Sequence, residues 1–234
     1  MAGYLVLEGG AEFGGAMAAP DRRSLELAGG VDVPVVIIPT AAAPDHNHER
    51  AGGNGQRWFQ HLGATDVMVA PLIDGASANE PSVIKLLQSA KLIYLLGGFT
   101  HYLGQTLAGS AAWIAIKAAY DDGAVIAGSS AGAMVLCDTY FNPNAGEVDS
   151  GLGLVFNSCV LPHHNTFGQR WVTQLRELLP QASLIGIDEQ TGMINDGVGG
   201  QWTVYGSGMV TLYRPGATGK DVVTSFGEEG MFAL

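Results

Sequence analysis

The sequence predicts an α/β fold in which a mostly parallel sheet carries helices on both faces. Short apolar runs alternate with longer amphipathic stretches, which is the pattern of strands connected by crossover helices. The length of 234 residues suits one such sheet. Near the C-terminus the pattern changes, because residues 201–213 alternate in the manner of a strand and 222–226 can pair with them. We therefore expect a C-terminal antiparallel extension of the sheet.

Each predicted element follows from one of these runs. Strands are predicted at residues 4–7, 33–38, 66–69, 92–96, 124–127, 158–161 and 184–187. Helices are predicted between them, at 50–62, 81–90, 108–120, 131–136 and 169–179. Gly206 and Gly208 interrupt the alternating C-terminal segment. Since no repeat, linker or low-complexity block divides the chain, we expect one α/β domain over residues 1–234.

Composition and charge narrow the range of partners. The formal net charge of -11 disfavours nucleic acid and anionic membranes as partners, so a small peptide is the better candidate substrate.

The first residues lack the basic region and long apolar stretch of a signal peptide or membrane span, and we expect a cytoplasmic protein. Cys137 and Cys159 lie in apolar surroundings without CxxC spacing, which predicts buried free thiols. A homodimer is left open.

A GxSxG motif centred on Ser130 follows the strand predicted at 124–127 and precedes a helix. Gly128 and Gly132 permit a tight strand-to-helix turn that exposes the serine hydroxyl, as required of a nucleophile. The amide of Ala131 would then point towards a developing oxyanion. The alternative is a serine that only caps the helix.

Further chemistry-bearing residues follow other predicted strands. Gly97 and Gly98 come after one strand, His163 and His164 after another, and Asp188-Glu189 after a third. Because functional groups gather beyond the carboxyl ends of strands, we expect these residues to share one edge of one sheet with Ser130. A nucleophile, a base, a carboxylate and free amides would then lie together.

These residues resemble the serine peptidases that include peptidase E and cyanophycinase. The resemblance covers nearly the whole chain, and it rests on the order and spacing of several segments: Gly9-Gly10, 38–41, 62–64, Gly97-Gly98, 123–133, 151–154, the histidine strand and 186–189. It implies a Ser-His-acid hydrolase on a flavodoxin-like sheet, related to class I glutamine amidotransferases. It also implies that neither a metal nor an organic cofactor is needed.

The resemblance places the base in the stretch 161–165, which contains two histidines. Cyanophycinase has an arginine six residues after its histidine, and Arg170 stands six residues after His164. That register favours His164 as the base and leaves His163 as a neighbour that contributes to substrate binding. His163 remains the alternative base.

The acid differs between branches of the family. Cyanophycinase uses the Glu of a Gly-Ile-Asp-Glu stretch, which corresponds to Glu189, whereas peptidase E uses an Asp soon after the nucleophile. The latter position falls near Ala145, with Glu147 and Asp149 close by. We expect Glu189 to be the acid, because a strand end holds the imidazole more firmly than the Gly/Asn/Pro-rich loop 142–151.

The resemblance also implies an oxyanion hole and substrate contacts. The matching backbone amides are those of Gly98 and Ala131. Phe99 and Thr100 stand where relatives have Asn-Thr or Asp-Gln, so cyanophycin itself is a doubtful substrate. Arg170 suggests recognition of a carboxylate, and we expect a short acidic or isoaspartyl-like peptide.

Two other functions remain open at this point. An α/β-hydrolase esterase shares GxSxG, but it needs a histidine well downstream, and no histidine follows His164. A ligand-binding relative without activity would keep the same scaffold, and the sequence alone does not separate it from an enzyme.

Overall fold

Fourteen strands and seven α-helices are found in the computed structural model, which describes residues 2–217 and 219–234. Met1, the first residue of the segment for which the sequence predicts no signal peptide, lies outside the described residues. The strands are β1 (Leu5–Glu8), β2 (Val35–Ile38), β3 (Val67–Val69), β4 (Leu92–Leu95), β5 (Val125–Ser129), β6 (Thr139–Asn142), β7 (Glu147–Ser150), β8 (Ser158–Leu161), β9 (Ser183–Ile187), β10 (Thr191–Ile194), β11 (Trp202–Gly206), β12 (Val210–Pro215), β13 (Asp221–Phe226) and β14 (Met231–Phe232). The helices are α1 (Ala18–Ala28), α2 (His48–His61), α3 (Pro81–Ser89), α4 (Thr100–Leu107), α5 (Ala111–Asp121), α6 (Ala131–Leu136) and α7 (Val172–Leu178).

The central sheet has eight strands in the order β14-β11-β10-β1-β5-β4-β2-β3. Strands β1 to β5 pair in parallel, whereas β10, β11 and β14 add antiparallel strands beyond β1. The predicted α/β class, with a mostly parallel sheet and antiparallel strands near the C-terminus, is therefore confirmed. All residues of β1, β2, β4 and β5 are buried, as expected for strands covered on both faces.

The predicted single sheet is wrong for the later strands. Strands β8 and β9 pair in parallel with each other in a separate sheet of order β13-β12-β9-β8. They cannot join the central sheet beside β1, because β10 already occupies that edge of β1. The expected pairing of 222–226 with the preceding strand is confirmed, since β13 pairs antiparallel with β12.

Helices cover both faces of the central sheet. Buried side chains of α3, α4, α5 and α6 pack into one hydrophobic cluster, while α1 and α2 contribute Leu25 and Phe59 to a second cluster on the opposite face. The sequence prediction missed α1 and α4. It also began α5 too early: the helix starts at Ala111, because Ser110 caps it by accepting a hydrogen bond from the Trp113 amide at 3.1 Å. No helix in the described ranges has the length and apolar character needed to cross a membrane.

The segment predicted as helix 169–179 is divided in two. Residues Gly168–Trp171 form a 3₁₀ turn, and α7 follows directly. The stretch 142–151, expected as a loop, instead forms part of the β6–β7 hairpin. Cys137 and Cys159 are buried free thiols as predicted, and burial raises the pKa of both.

Helix α6 packs unusually close to the sheet because of two glycines. A Cβ at Gly128 would lie 2.5 Å from the Gly132 carbonyl carbon, and one at Gly132 would lie 2.2 Å from the Leu95 oxygen. Any larger residue would force strand and helix apart. The two glycines of the GxSxG motif thus fix the position of the turn that carries Ser130.

Candidate active site

Ser130 lies at the carboxyl end of β5, between β1 and β4 at the centre of the sheet. Its backbone is left-handed, with φ 48° and ψ −109°, which is a strained conformation for a residue other than glycine. The Ser130 amide donates to the Glu8 carbonyl at 2.9 Å, which ties the turn to β1. The predicted strand–serine–helix turn is present, and its strain is typical of an exposed nucleophile.

Hydrogen bonds connect Ser130, His163 and Glu189. The Ser130 hydroxyl lies 3.0 Å from His163 Nε2, and His163 Nδ1 lies 2.8 Å from Glu189 Oε1. An ionised carboxylate only accepts hydrogen bonds, so the proton on the neutral ring resides at Nδ1 and Nε2 is left to accept from the hydroxyl. This is the order of groups that activates a serine in hydrolases.

The Gly9-Gly10 segment, which directly follows β1, brings the histidine and the acid to the serine. The His163 amide donates to the Gly9 carbonyl at 2.7 Å, and the Gln190 amide donates to the Gly10 carbonyl at 3.1 Å. A Cβ at Gly10 would lie 2.2 Å from His163 Cε1, so only glycine leaves room for the ring. The second sheet is thereby joined to the central sheet at the nucleophile.

The assignment of His164 as the base is wrong in this geometry. Its buried ring faces the second sheet, where Nε2 lies 2.9 Å from the Tyr213 hydroxyl and Nδ1 lies 3.4 Å from Asp188 Oδ1. Burial lowers the pKa of His164, against the opposing effect of Asp188. Both ring nitrogens are already engaged, and His164 therefore fills a structural position.

The backbone explains why His163, and not His164, faces Ser130. His163 has a left-handed φ of 50°, which turns the chain sharply after β8. Its carbonyl accepts from the amides of Thr166, Phe167 and Gly168, and these bonds hold the turn. The adjacent ring then points the other way, towards β12. His163, expected among the substrate contacts and as the alternative base, is the ring that meets Ser130.

The position of Glu189 agrees with expectation, and the alternative acids lie elsewhere. Asp149 is 3.0 Å from His101 Nδ1, and Glu147 is exposed on β7. A hydrogen bond from the Glu189 backbone amide to Asn165 Oδ1, at 3.0 Å, holds Glu189 in place.

We expect Glu189→Gln to reduce kcat/KM by about 10²- to 10⁴-fold, because the amide cannot stabilise the imidazolium that forms at His163. Asp149→Asn and Glu147→Gln serve as matched controls and should retain most activity. Steady-state kinetics on one peptide substrate measures all three variants. A greater loss for either control would transfer the role of the acid to the β6–β7 hairpin.

The two amides expected to form an oxyanion hole belong to Ala131, which follows Ser130 in the chain, and to Gly98. Ala131 is the first residue of α6, so its N–H has no acceptor within that helix. Gly98 follows β4 with a φ of 138°, and a Cβ there would lie 2.3 Å from the Ala41 carbonyl oxygen. Its neighbour Gly97 approaches Ser130, since a Cβ at Gly97 would lie 3.2 Å from Ser130 Cβ.

Two cavities meet at Gly98 and Phe99. The first, here called the Glu12 cavity, has a volume of about 740 Å³ and is lined among others by Glu12, Asp45, Trp58 and Gly97. The second, here called the His101 cavity, has about 670 Å³ and is lined among others by Thr100, His101, Tyr102 and Asn142. A scissile bond placed at Gly98 would therefore have space on both sides.

Of the predicted substrate contacts, Phe99 and Thr100 line these cavities, whereas His163 and Arg170 line neither of them. Phe99 lines both of them, and Thr100 lines the His101 cavity. Arg170 is exposed on the 3₁₀ turn that follows the base, and its amide donates to the Phe167 carbonyl at 3.1 Å. The Phe167 ring stacks on His163, with centroids 4.8 Å apart. The Arg170 backbone is thus connected to His163 through Phe167.

Sequence reasoning missed several polar residues near the end of β1. Glu8 and Asp21 are fully buried; burial raises the pKa of Glu8 well above its usual value and that of Asp21 to about 7. Tyr94 donates to Glu8, and Trp58 donates to Asp21 at 2.7 Å. Glu12 was missed as well. The signal was available, because these carboxylates are on or just beyond β1, or on the helix that follows.

Within residues 2–217 and 219–234, no three His, Cys, Asp or Glu side chains are grouped to hold a metal ion. The site consists of a strained serine at a strand end, a histidine bonded to it and a carboxylate behind the ring. Fold and site together define an α/β serine hydrolase.

Comparison with known proteins gives the family. The model of peptidase family S51 matches residues 5–199, and the chain therefore belongs to that family and is a serine-type peptidase. A peptidase from an acI-B1 Actinobacterium has a similar structure, with 28% identity, a TM-score of 0.88 and coverage of 100% of this chain and 98% of the other. A candidate peptidase E protein from Listeria monocytogenes EGD-e shares the fold at 19% identity and a TM-score of 0.65, over 89% and 100% of the two chains. No curated protein matches the sequence.

Proposed function

We propose that this peptidase is an exopeptidase or dipeptidase that hydrolyses short acidic or isoaspartyl-like peptides through Ser130, His163 and Glu189. The observation that carries the proposal is the chain of two hydrogen bonds, 3.0 Å from Ser130 to His163 and 2.8 Å from His163 to Glu189. A relative without activity would have no need to keep all three groups in this register.

In the first half of the reaction, Ser130 Oγ attacks the scissile carbonyl carbon while His163 Nε2 takes the hydroxyl proton. Glu189 stabilises the resulting imidazolium. The amides of Gly98 and Ala131 donate to the carbonyl oxygen as it becomes negative. When the C–N bond breaks, His163 returns the proton to the leaving amine, and an acyl-enzyme remains on Ser130.

In the second half, water attacks the acyl-enzyme. His163 takes a proton from the water, and the tetrahedral intermediate collapses to release the carboxylic acid. The proton returns to Ser130 Oγ, which restores the free enzyme. Serine, histidine and carboxylate suffice for this cycle.

The acidic substrate preference is proposed from Arg170. The chain carries a net charge of -11, so an anionic peptide needs a local cation to bind. Arg170 is exposed close to Phe167, which stacks on the base, and its guanidinium can bind a carboxylate bidentately. Arg176, by contrast, is held by Asp221 at 2.8 Å and supports the second sheet.

We expect Arg170→Gln to raise KM by about 10- to 100-fold for peptides with a carboxylate near the scissile bond, the effect of one charge-assisted pair. Neutral analogues should be almost unaffected. Paired kinetics on acidic and neutral peptides tests this, with Lys85→Gln on α3 as a control for loss of one exposed positive charge. Equal losses on both peptides would assign Arg170 a structural role.

The overall proposal is tested in two steps. A fluorophosphonate probe should label wild-type protein at Ser130 and leave Ser130→Ala unlabelled, which separates an enzyme from a binding protein. Digestion of a peptide library, analysed by mass spectrometry beside a panel of simple esters, then gives the substrate class. Cleavage of esters alone would favour an esterase and overturn the proposal.

A further inference from the structure

A carboxylate lies beside the nucleophile on the wall of the Glu12 cavity. Glu12 Oε2 accepts a hydrogen bond from Ser129 Oγ at 3.0 Å, so the residue before the nucleophile fixes its position. A Cβ at Gly97 would lie 3.1 Å from Glu12 Oε1 and 3.2 Å from Ser130 Cβ. Glu12 Oε1 and Ser130 Cβ therefore both approach the position that a side chain at Gly97 would occupy.

The charged residues that line the cavity differ in their exposure to solvent. Asp45, Arg57 and His61 line it as exposed side chains, and Arg57 donates to Asn54 at 2.6 Å. Among the charged lining residues that the structure describes, Glu12 is half-buried, and its carboxylate lies next to Gly97 and Ser129. A half-buried charge is screened less by solvent than an exposed one, so Glu12 contributes more strongly than these exposed residues to the electrostatic field beside Gly97.

We infer that Glu12 binds the free α-ammonium group of the substrate's N-terminal residue and thereby restricts cleavage to the bond that follows this residue. The inference rests on the proposed function. The α-ammonium nitrogen is two covalent bonds from the scissile carbonyl carbon in an ordinary peptide and three in an isoaspartyl peptide. Cations on Lys or Arg side chains lie several bonds further away. The α-ammonium is therefore the substrate cation that can reach a carboxylate beside Ser130.

The same arrangement disfavours internal peptide bonds. An amide nitrogen in place of the ammonium carries no charge to pair with Glu12, and binding would leave the carboxylate partly desolvated without compensation. The chain that precedes an internal bond would also have to pass Glu12 and Gly97. Hydrolysis is thus directed to peptides whose first residue carries a free amine.

Glu12→Gln tests this with little disturbance, because glutamine keeps the length and can still accept from Ser129. On a peptide with a free N-terminus, kcat/KM should fall about 10- to 100-fold, as expected for one lost charge-assisted pair. On the N-acetylated form of the same peptide, the low wild-type rate should be unchanged. Glu49→Gln, an exposed residue of α2 outside the cavity lining, is the matched control and should behave as wild type. Fluorophosphonate labelling of Ser130 and the melting temperature report whether the variants retain an intact site and fold.

The outcomes separate the two proposals. If wild-type protein cleaves free and acetylated peptides equally well, or if Glu12→Gln slows both by the same factor, the role of Glu12 is overturned while the peptidase proposal stands. If no peptide is hydrolysed in a Ser130-dependent manner, the proposed function fails and this inference with it.

Discussion

Ser130→Ala is expected to lower kcat/KM by about 10⁴-fold or more, since loss of a triad nucleophile leaves only the contributions of binding and the oxyanion hole. The fold should survive. The replacement removes one hydroxyl at the end of β5 and keeps the hydrogen bond from its amide to Glu8. Alanine is no worse suited than serine to the left-handed backbone at this position.

Three measurements on the Ser130→Ala protein make the result interpretable. Peptide hydrolysis gives the rate, circular dichroism and the melting temperature report the fold, and fluorophosphonate labelling reports the nucleophile. Ser207→Ala, at an exposed position in the described structure, is the control for serine loss and should keep full activity. Unchanged turnover in a folded, unlabelled Ser130→Ala protein would assign the chemistry to another residue.

The strands could be predicted because each is a short apolar run closed by polar or glycine residues. All seven predicted strands occur with small differences in their bounds. The division of these strands between two sheets could not be predicted. Nothing in residues 158–161 says whether they pair with β1 or with β9, and that choice depends on β10 taking the free edge of β1.

Ser130, Gly98 and Glu189 could be found from the sequence because each stands just after a predicted strand. Glu12 follows the same rule beyond the end of β1, but the Gly9-Gly10 segment before it carries no chemistry of its own and draws no attention to it. Its proximity to Ser130 depends on Gly97, a residue far away in the chain. The position of Glu12 just beyond β1 is a signal in the sequence, whereas its contact with Gly97 is created by the tertiary fold.

Spacing along the sequence could not decide whether His163 or His164 faces Ser130. Two adjacent side chains point in different directions, and which one faces β5 depends on a single left-handed residue. The spacing to Arg170 favoured the histidine that faces away from Ser130. With His163 as the base, Pro162 directly precedes it, and Arg170 follows seven residues later.

His163→Ala is expected to reduce kcat/KM by about 10⁴-fold, comparable to loss of the serine, because the two act as one unit. His164→Ala should leave the catalytic step nearly intact but lower the stability of the fold by about 1–3 kcal/mol, because it leaves Asp188 and Tyr213 without their buried partner. Activity per correctly folded site, measured beside the melting temperature, separates the two effects. The opposite result would be a folded His164→Ala protein that has lost about 10⁴-fold in kcat/KM and a His163→Ala protein that stays active. That result would identify His164 as the base and would require a different rotation of the turn after β8.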